Sequence, residues 1–166
     1  MSEAYVELLI KRKSPALPSV VQAFSVALAI LSFLVGMGLS PFLFLLTIVF
    51  GILAYFAHMS ANIEYEYLYV DKELSIDIIR AKSKRKKAVT IDIQRMEVFA
   101  PAGSHRLDEY KNRTMKVRDY SSHMPESHPY ALIYNGDNEV TQFILEGSEE
   151  LTKCLKSVAP RKVFTD

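Results

Sequence analysis

Between Val20 and Met59 the chain carries no Asp, Glu, Lys or Arg, and every charged residue lies outside that window. The window is about forty residues long. As one helix it would measure roughly 60 Å, about twice the hydrocarbon thickness of a bilayer, whereas two helices of about twenty residues fit. The break falls in Gly36-Met37-Gly38-Leu39-Ser40-Pro41, where glycine weakens a helix and proline disfavours helical geometry in the residue before it. The spacing predicts transmembrane helices at about 20–38 and 41–58, together forming a hairpin over 20–59. A secretory signal has an apolar stretch of only about 7–15 residues. A core hairpin of a soluble protein would show a polar face, and here Gln22, Ser25, Ser32, Ser40, Thr47 and His58 are scattered.

Orientation follows from the basic residues next to the apolar ends. Lys11, Arg12 and Lys13 precede the first helix. Arg80, Lys82, Lys84, Arg85, Lys86 and Lys87 follow the second, and the connecting turn is uncharged. The expectation is a multi-pass protein of the cell membrane with both termini cytoplasmic. The segment 1–19 precedes the hairpin. Its first thirteen residues have two readings: an interfacial helix, with Tyr5, Leu8 and Leu9 on one face, or a frayed terminus carrying the positive-inside signal.

After Asn62 the period changes to two. Ile63, Tyr65, Tyr67 and Tyr69 alternate with Glu64, Glu66 and Leu68. Similar runs occur at 74–78, 89–93, 96–100, 130–134 and 140–144, with a weaker one at 115–120. Such runs are strands with one buried face, and Asp71-Lys72 and Asn135-Gly136-Asp137 read as hairpin turns. Ser148 then precedes Glu149 and Glu150, and Leu151, Cys154, Leu155 and Val158 share a helical face that Pro160 ends. The predicted architecture is a membrane α-hairpin plus an α+β domain at 62–166. That domain is an antiparallel pleckstrin-homology-like barrel or sandwich of six or seven strands with a C-terminal helix, expected to fold alone.

The run Glu64-Tyr65-Glu66-Tyr67, the stretch Ile76-Asp77-Ile78, the basic Lys84-Arg85-Lys86 and the ending Ala159-Pro160-Arg161-Lys162-Val163-Phe164 resemble a family of small bacterial membrane proteins. Its members have an N-terminal transmembrane hairpin and a cytoplasmic pleckstrin-homology-like domain. The resemblance covers nearly the whole chain, least well at 102–128, and it implies no activity.

A net charge of +1 argues for neither nucleic acid nor an acidic partner. Six basic residues crowd into Arg80–Lys87. They read either as a solvated turn or as a contact for anionic headgroups. No aromatics interleave them, which disfavours single-stranded nucleic acid. Histidines 58, 105, 123 and 128 lack metal-ligand spacing, and neither a phosphate loop nor a nucleophile elbow occurs. Asp77 and Asp92 read as solvent-face acids of a sheet, and Cys154 as a small hydrophobe. Tyr65, Tyr67 and Tyr69 suit a core face or a binding surface, and the long loop 101–129 is either functional or poorly ordered.

The expectation is therefore a membrane-anchored, non-enzymatic interaction module with no metal and no cofactor. Its partner is a protein, a second copy of the chain or the anionic lipid surface. The alternative is a subunit of a larger membrane assembly with the hairpin as interface. Ala23 and Ala27, four residues apart, would permit close helix approach there.

Overall fold

The computed structural model describes residues 5–137 and 139–165. Along the described residues a first strand precedes two long helices, seven further strands follow them, and a C-terminal helix comes last; the chain divides into two compact units.

One unit holds residues 13–64 and 79–85. Helix α1 spans Ala16–Gly38 and helix α2 spans Leu43–Ala61. Both are long and apolar enough to cross a membrane, and their apolar side chains mostly point outward: Phe24, Ile30, Leu34, Leu45, Ile48 and Phe56 are all exposed. A soluble protein's core helices would bury such residues. The first helix starts four residues before the predicted Val20. Pro18 falls in its first turn, where the missing N–H has no intrahelical partner to lose. Gly36 faces α2 at the contact, where a Cβ would lie 3.4 Å from Leu43 and from the Phe44 ring. Ser32 and Thr47 share a hydrogen bond of 2.9 Å across the pair, and Gln22 Nε2 lies 3.2 Å from His58 Nδ1. The connection at 39–42 turns tightly, with the Leu43 N–H donating to the Ser40 carbonyl at 3.1 Å.

The other unit holds residues 5–12, 65–78 and 86–165. Its first sheet has the order β1-β2-β3-β4, from Val6–Lys11, Ile63–Val70, Glu73–Arg80 and Lys84–Asp92. The second has the order β5-β7-β8-β6, from Met96–Pro101, Pro129–Asn135, Val140–Glu146 and Lys116–Asp119. Two points correct the sequence reading. Residues 6–11 form strand β1, not an interfacial helix, because Val6 is buried and Leu8 and Ile10 half-buried while Glu7, Leu9 and Lys11 are exposed. That brings the described strands to eight, in two sheets and without a closed barrel. In addition β6 pairs with β8 in parallel, whereas β7 pairs antiparallel with both β5 and β8.

The core joins the sheets. Tyr65, Tyr67 and Tyr69 of β2, Leu74 and Ile76 of β3, and Phe99, Leu132, Phe143 and Leu145 of the second sheet are all buried. The Tyr67 hydroxyl donates to the Tyr120 carbonyl at 2.7 Å and accepts from the Glu146 N–H at 3.1 Å. Helix α3, Glu149–Val158, is capped by Ser148, whose Oγ accepts from the Leu151 N–H at 3.1 Å, and it buries Leu151 and Leu155. Beyond α3 the chain returns to the free edge of β5. The Phe99 N–H donates to the Lys162 carbonyl at 2.7 Å, and the Phe164 N–H to the Phe99 carbonyl at 2.8 Å. An edge strand left open invites pairing with foreign chains. The ending 162–164 covers this one.

The stretch 101–129 holds a 3-10 segment and strand β6. A 3-10 segment, His105–Tyr110, drops Leu107 onto the outer face of the second sheet against Val98, Ala100, Ala131 and Ile133, with Tyr110, Met115 and Phe164 packed around it. The loop covers an apolar face that would otherwise be wet.

Candidate functional site: a basic hairpin

Strands β3 and β4 are joined by residues 81–83, in a turn centred on Ala81 and Lys82. Ala81 (φ 47°) and Lys82 (φ 55°) both adopt left-handed backbone, and the Ser83 N–H donates to the Arg80 carbonyl at 3.1 Å. Positive φ at both central residues gives the turn whose twist matches paired strands. One of the two sequence readings took the whole run Arg80–Lys87 as a solvated turn. The turn is in fact confined to 81–83, and Lys84, Arg85, Lys86 and Lys87 open strand β4.

All six predicted basic residues, Arg80, Lys82, Lys84, Arg85, Lys86 and Lys87, are exposed. Among the described residues no ion pair engages Arg80, Lys82, Lys84, Lys86 or Lys87. The tip is tied to the end of α2, because the Ala81 N–H donates to the Asn62 carbonyl at 2.7 Å. Asn62 is the C-cap of α2, and its side-chain amide in turn lies 3.2 Å from both the His58 carbonyl and its Nδ1. Arg80, Lys82, Lys84 and Arg85 thus belong to the same compact unit as the two apolar helices.

The other basic group divides. Lys11 and Lys13 are exposed, while Arg12 is half-buried and its guanidinium donates to the Tyr65 hydroxyl at 3.3 Å. Burial pushes the Tyr65 phenol up, against the opposing pull of Arg12. Arg12 is therefore part of the β1–β2 packing as well as a flanking charge.

The remaining candidates have structural places. Asp92 caps the turn Ile93–Arg95 by accepting from the Gln94 N–H at 2.9 Å. Cys154 is half-buried, and burial raises its thiol. His123 sits 3.6 Å from Asp119, His105 opens the 3-10 segment, and among the described residues no group of three His, Cys, Asp or Glu converges as metal ligands.

Two four-stranded sheets, a C-terminal helix and a pair of apolar helices set between the first two strands define a PH-like domain fitted with a membrane-type hairpin. Over residues 2–165 the chain matches the family described as a bacterial PH-like domain, DUF6106, and it belongs to that family. Neither a curated protein nor a solved structure matches it.

Proposed function

We propose that the protein is a membrane-anchored, non-enzymatic interaction module whose helix hairpin crosses the bilayer twice. One observation carries this reading: β1 and β2 are neighbours in one sheet, and the two apolar helices are the connection between them. Neighbouring strands lie on the same side of a membrane, so the number of crossings between them is even. Two outward-facing apolar helices supply two crossings, and the flanking Lys11, Lys13 and Arg80–Lys87 make that side the cytoplasm. The two sheets then form the layers of a PH-like sandwich, bridged by Tyr67. Its basic β3–β4 hairpin, tethered to the end of α2, meets the anionic leaflet, where each Lys or Arg contributes about 1 kcal/mol.

The test uses the full-length protein with Cys154 changed to Ser and Ser83 changed to Cys, carrying an environment-sensitive dye. In nanodiscs containing phosphatidylglycerol the dye emission shifts to the blue relative to neutral discs. The shift fades with salt and is lost when Lys84, Arg85, Lys86 and Lys87 become Gln. Identical emission in neutral and anionic discs rules the lipid contact out. A second reading, a subunit of a larger assembly, draws support from Ala23 and Ala27, which are exposed on α1. Crosslinking in native membranes separates the two, because partners lost on replacing the hairpin favour the subunit.

A further inference from the structure

A second basic surface belongs to the β-rich unit. The β2–β3 turn, the turn after β4 and the C-terminal end of α3 enclose an open concavity of about 550 Å³. Lys72, Arg161 and Lys162 line it together with Gln94 and Ser157, and no acidic residue does. Among the described residues none of the three cations has an ion-pair partner. Like charges that share a concavity repel, and an anion relieves that repulsion.

The backbone around these cations is pinned. Lys72 is held in left-handed backbone (φ 69°), with its carbonyl accepting from the Ile93 N–H at 2.9 Å. The Lys162 carbonyl accepts from the Phe99 N–H at 2.7 Å, and its ammonium donates to the Gln94 carbonyl at 3.1 Å. Arg161 is exposed between them, with a planar fork of donors suited to two oxygens of one phosphate. Gln94 and Ser157 also line the concavity, the Ser157 hydroxyl donating to the Cys154 carbonyl at 2.7 Å.

We infer that this concavity is a binding site for a multiply charged, phosphate-bearing anion, distinct from the β3–β4 hairpin. A competing account assigns the cations to the negative end of the α3 dipole. On that account their removal lowers stability and leaves no anion binding to lose.

The experiment measures inorganic pyrophosphate binding by calorimetry and thermal shift on full-length protein in neutral detergent at low salt. Three forms are compared: the unmodified protein, Lys72→Asn with Arg161→Gln, and the hairpin variant with Lys84, Arg85, Lys86 and Lys87 changed to Gln. Asparagine tolerates left-handed backbone, so the turn survives. Pyrophosphate binds the unmodified and hairpin-variant proteins alike and raises their Tm. The double variant binds at least about tenfold more weakly and its Tm does not respond. Repeating the titration in nanodiscs with phosphatidylglycerol identifies the natural source. Weaker apparent binding there means that lipid headgroups occupy the site, and unchanged binding means a soluble phosphate. No pyrophosphate binding by the unmodified protein, or equal binding by the double variant, overturns the site.

Discussion

The Tyr67 hydroxyl satisfies two backbone groups that belong to other segments, the carbonyl of Tyr120 and the N–H of Glu146. Changing Tyr67 to Phe keeps the ring and strands both groups in a dry core. The expected loss is about 1–3 kcal/mol, read from denaturant unfolding of the whole protein in detergent. The same residue fixes a pH dependence. Burial pushes its phenol well above 10, so the folded state keeps a proton that the unfolded chain releases above about pH 10. The unfolded state then binds fewer protons, and stability falls as pH rises past 10. Tyr67→Phe, though less stable at pH 7, loses less between pH 9 and 11 than the unmodified protein does. Gly147 gives a second test at this scale. A Cβ there would run into the Tyr130 ring, which is stacked on Phe99 at 4.8 Å and cannot turn aside freely. Gly147→Ala is expected to cost about 1–3 kcal/mol by the same assay. The alternating tyrosines announced a buried face in the sequence. The partners at Tyr120 and Glu146 did not, since nothing local links positions so far apart.

Strand β1 changes what counts as the domain. Expressing 62–166 alone removes the edge strand and uncovers β2, an open invitation to aggregate. Joining residues 5–12 directly to 63–165 through an Asn-Gly turn restores the four-stranded sheet without the helices. This fused chain is expected to stay monomeric and to unfold at a higher temperature than 62–166, as size-exclusion chromatography and calorimetry will report. A fused chain no more stable than the shorter one would mean that β1 adds nothing. The helices were legible because length and absence of charge leave few alternatives, and the strands after Asn62 because their alternation is regular. β1 was not, since Tyr5, Leu8 and Leu9 also fit a helical face, and only the presence of β2 beside it selects the alternation of Val6, Leu8 and Ile10. The cover made by Leu107, Tyr110 and Met115 was missed for a similar reason: its partners are on β5 and β7, and the segment has no period of its own.

For the whole molecule, the basic hairpin was readable as a run of charge and the concavity was not, because Lys72 and Arg161 meet only in three dimensions. The proposed double crossing makes a direct prediction. Single cysteines placed at Lys13 and at Ser83, in a Cys154→Ser background, are blocked by a membrane-impermeant maleimide only after the inner face is opened, while one at Leu39 reacts in intact cells. Labelling of the first two from outside would reverse the orientation, and opposite labelling of the two would break the topology. The order of synthesis gives the split sheet one more meaning. β1 leaves the ribosome first, yet its neighbour emerges only after both helices have been made. With the hairpin crossing twice as proposed, a chain in which one helix fails to insert leaves β1 and β2 on opposite sides, unable to pair, with two unmet edges exposed to proteases. On that proposed topology the sheet acts as a proofreader of its own anchor, because only correctly threaded copies reach the protected, fully paired state.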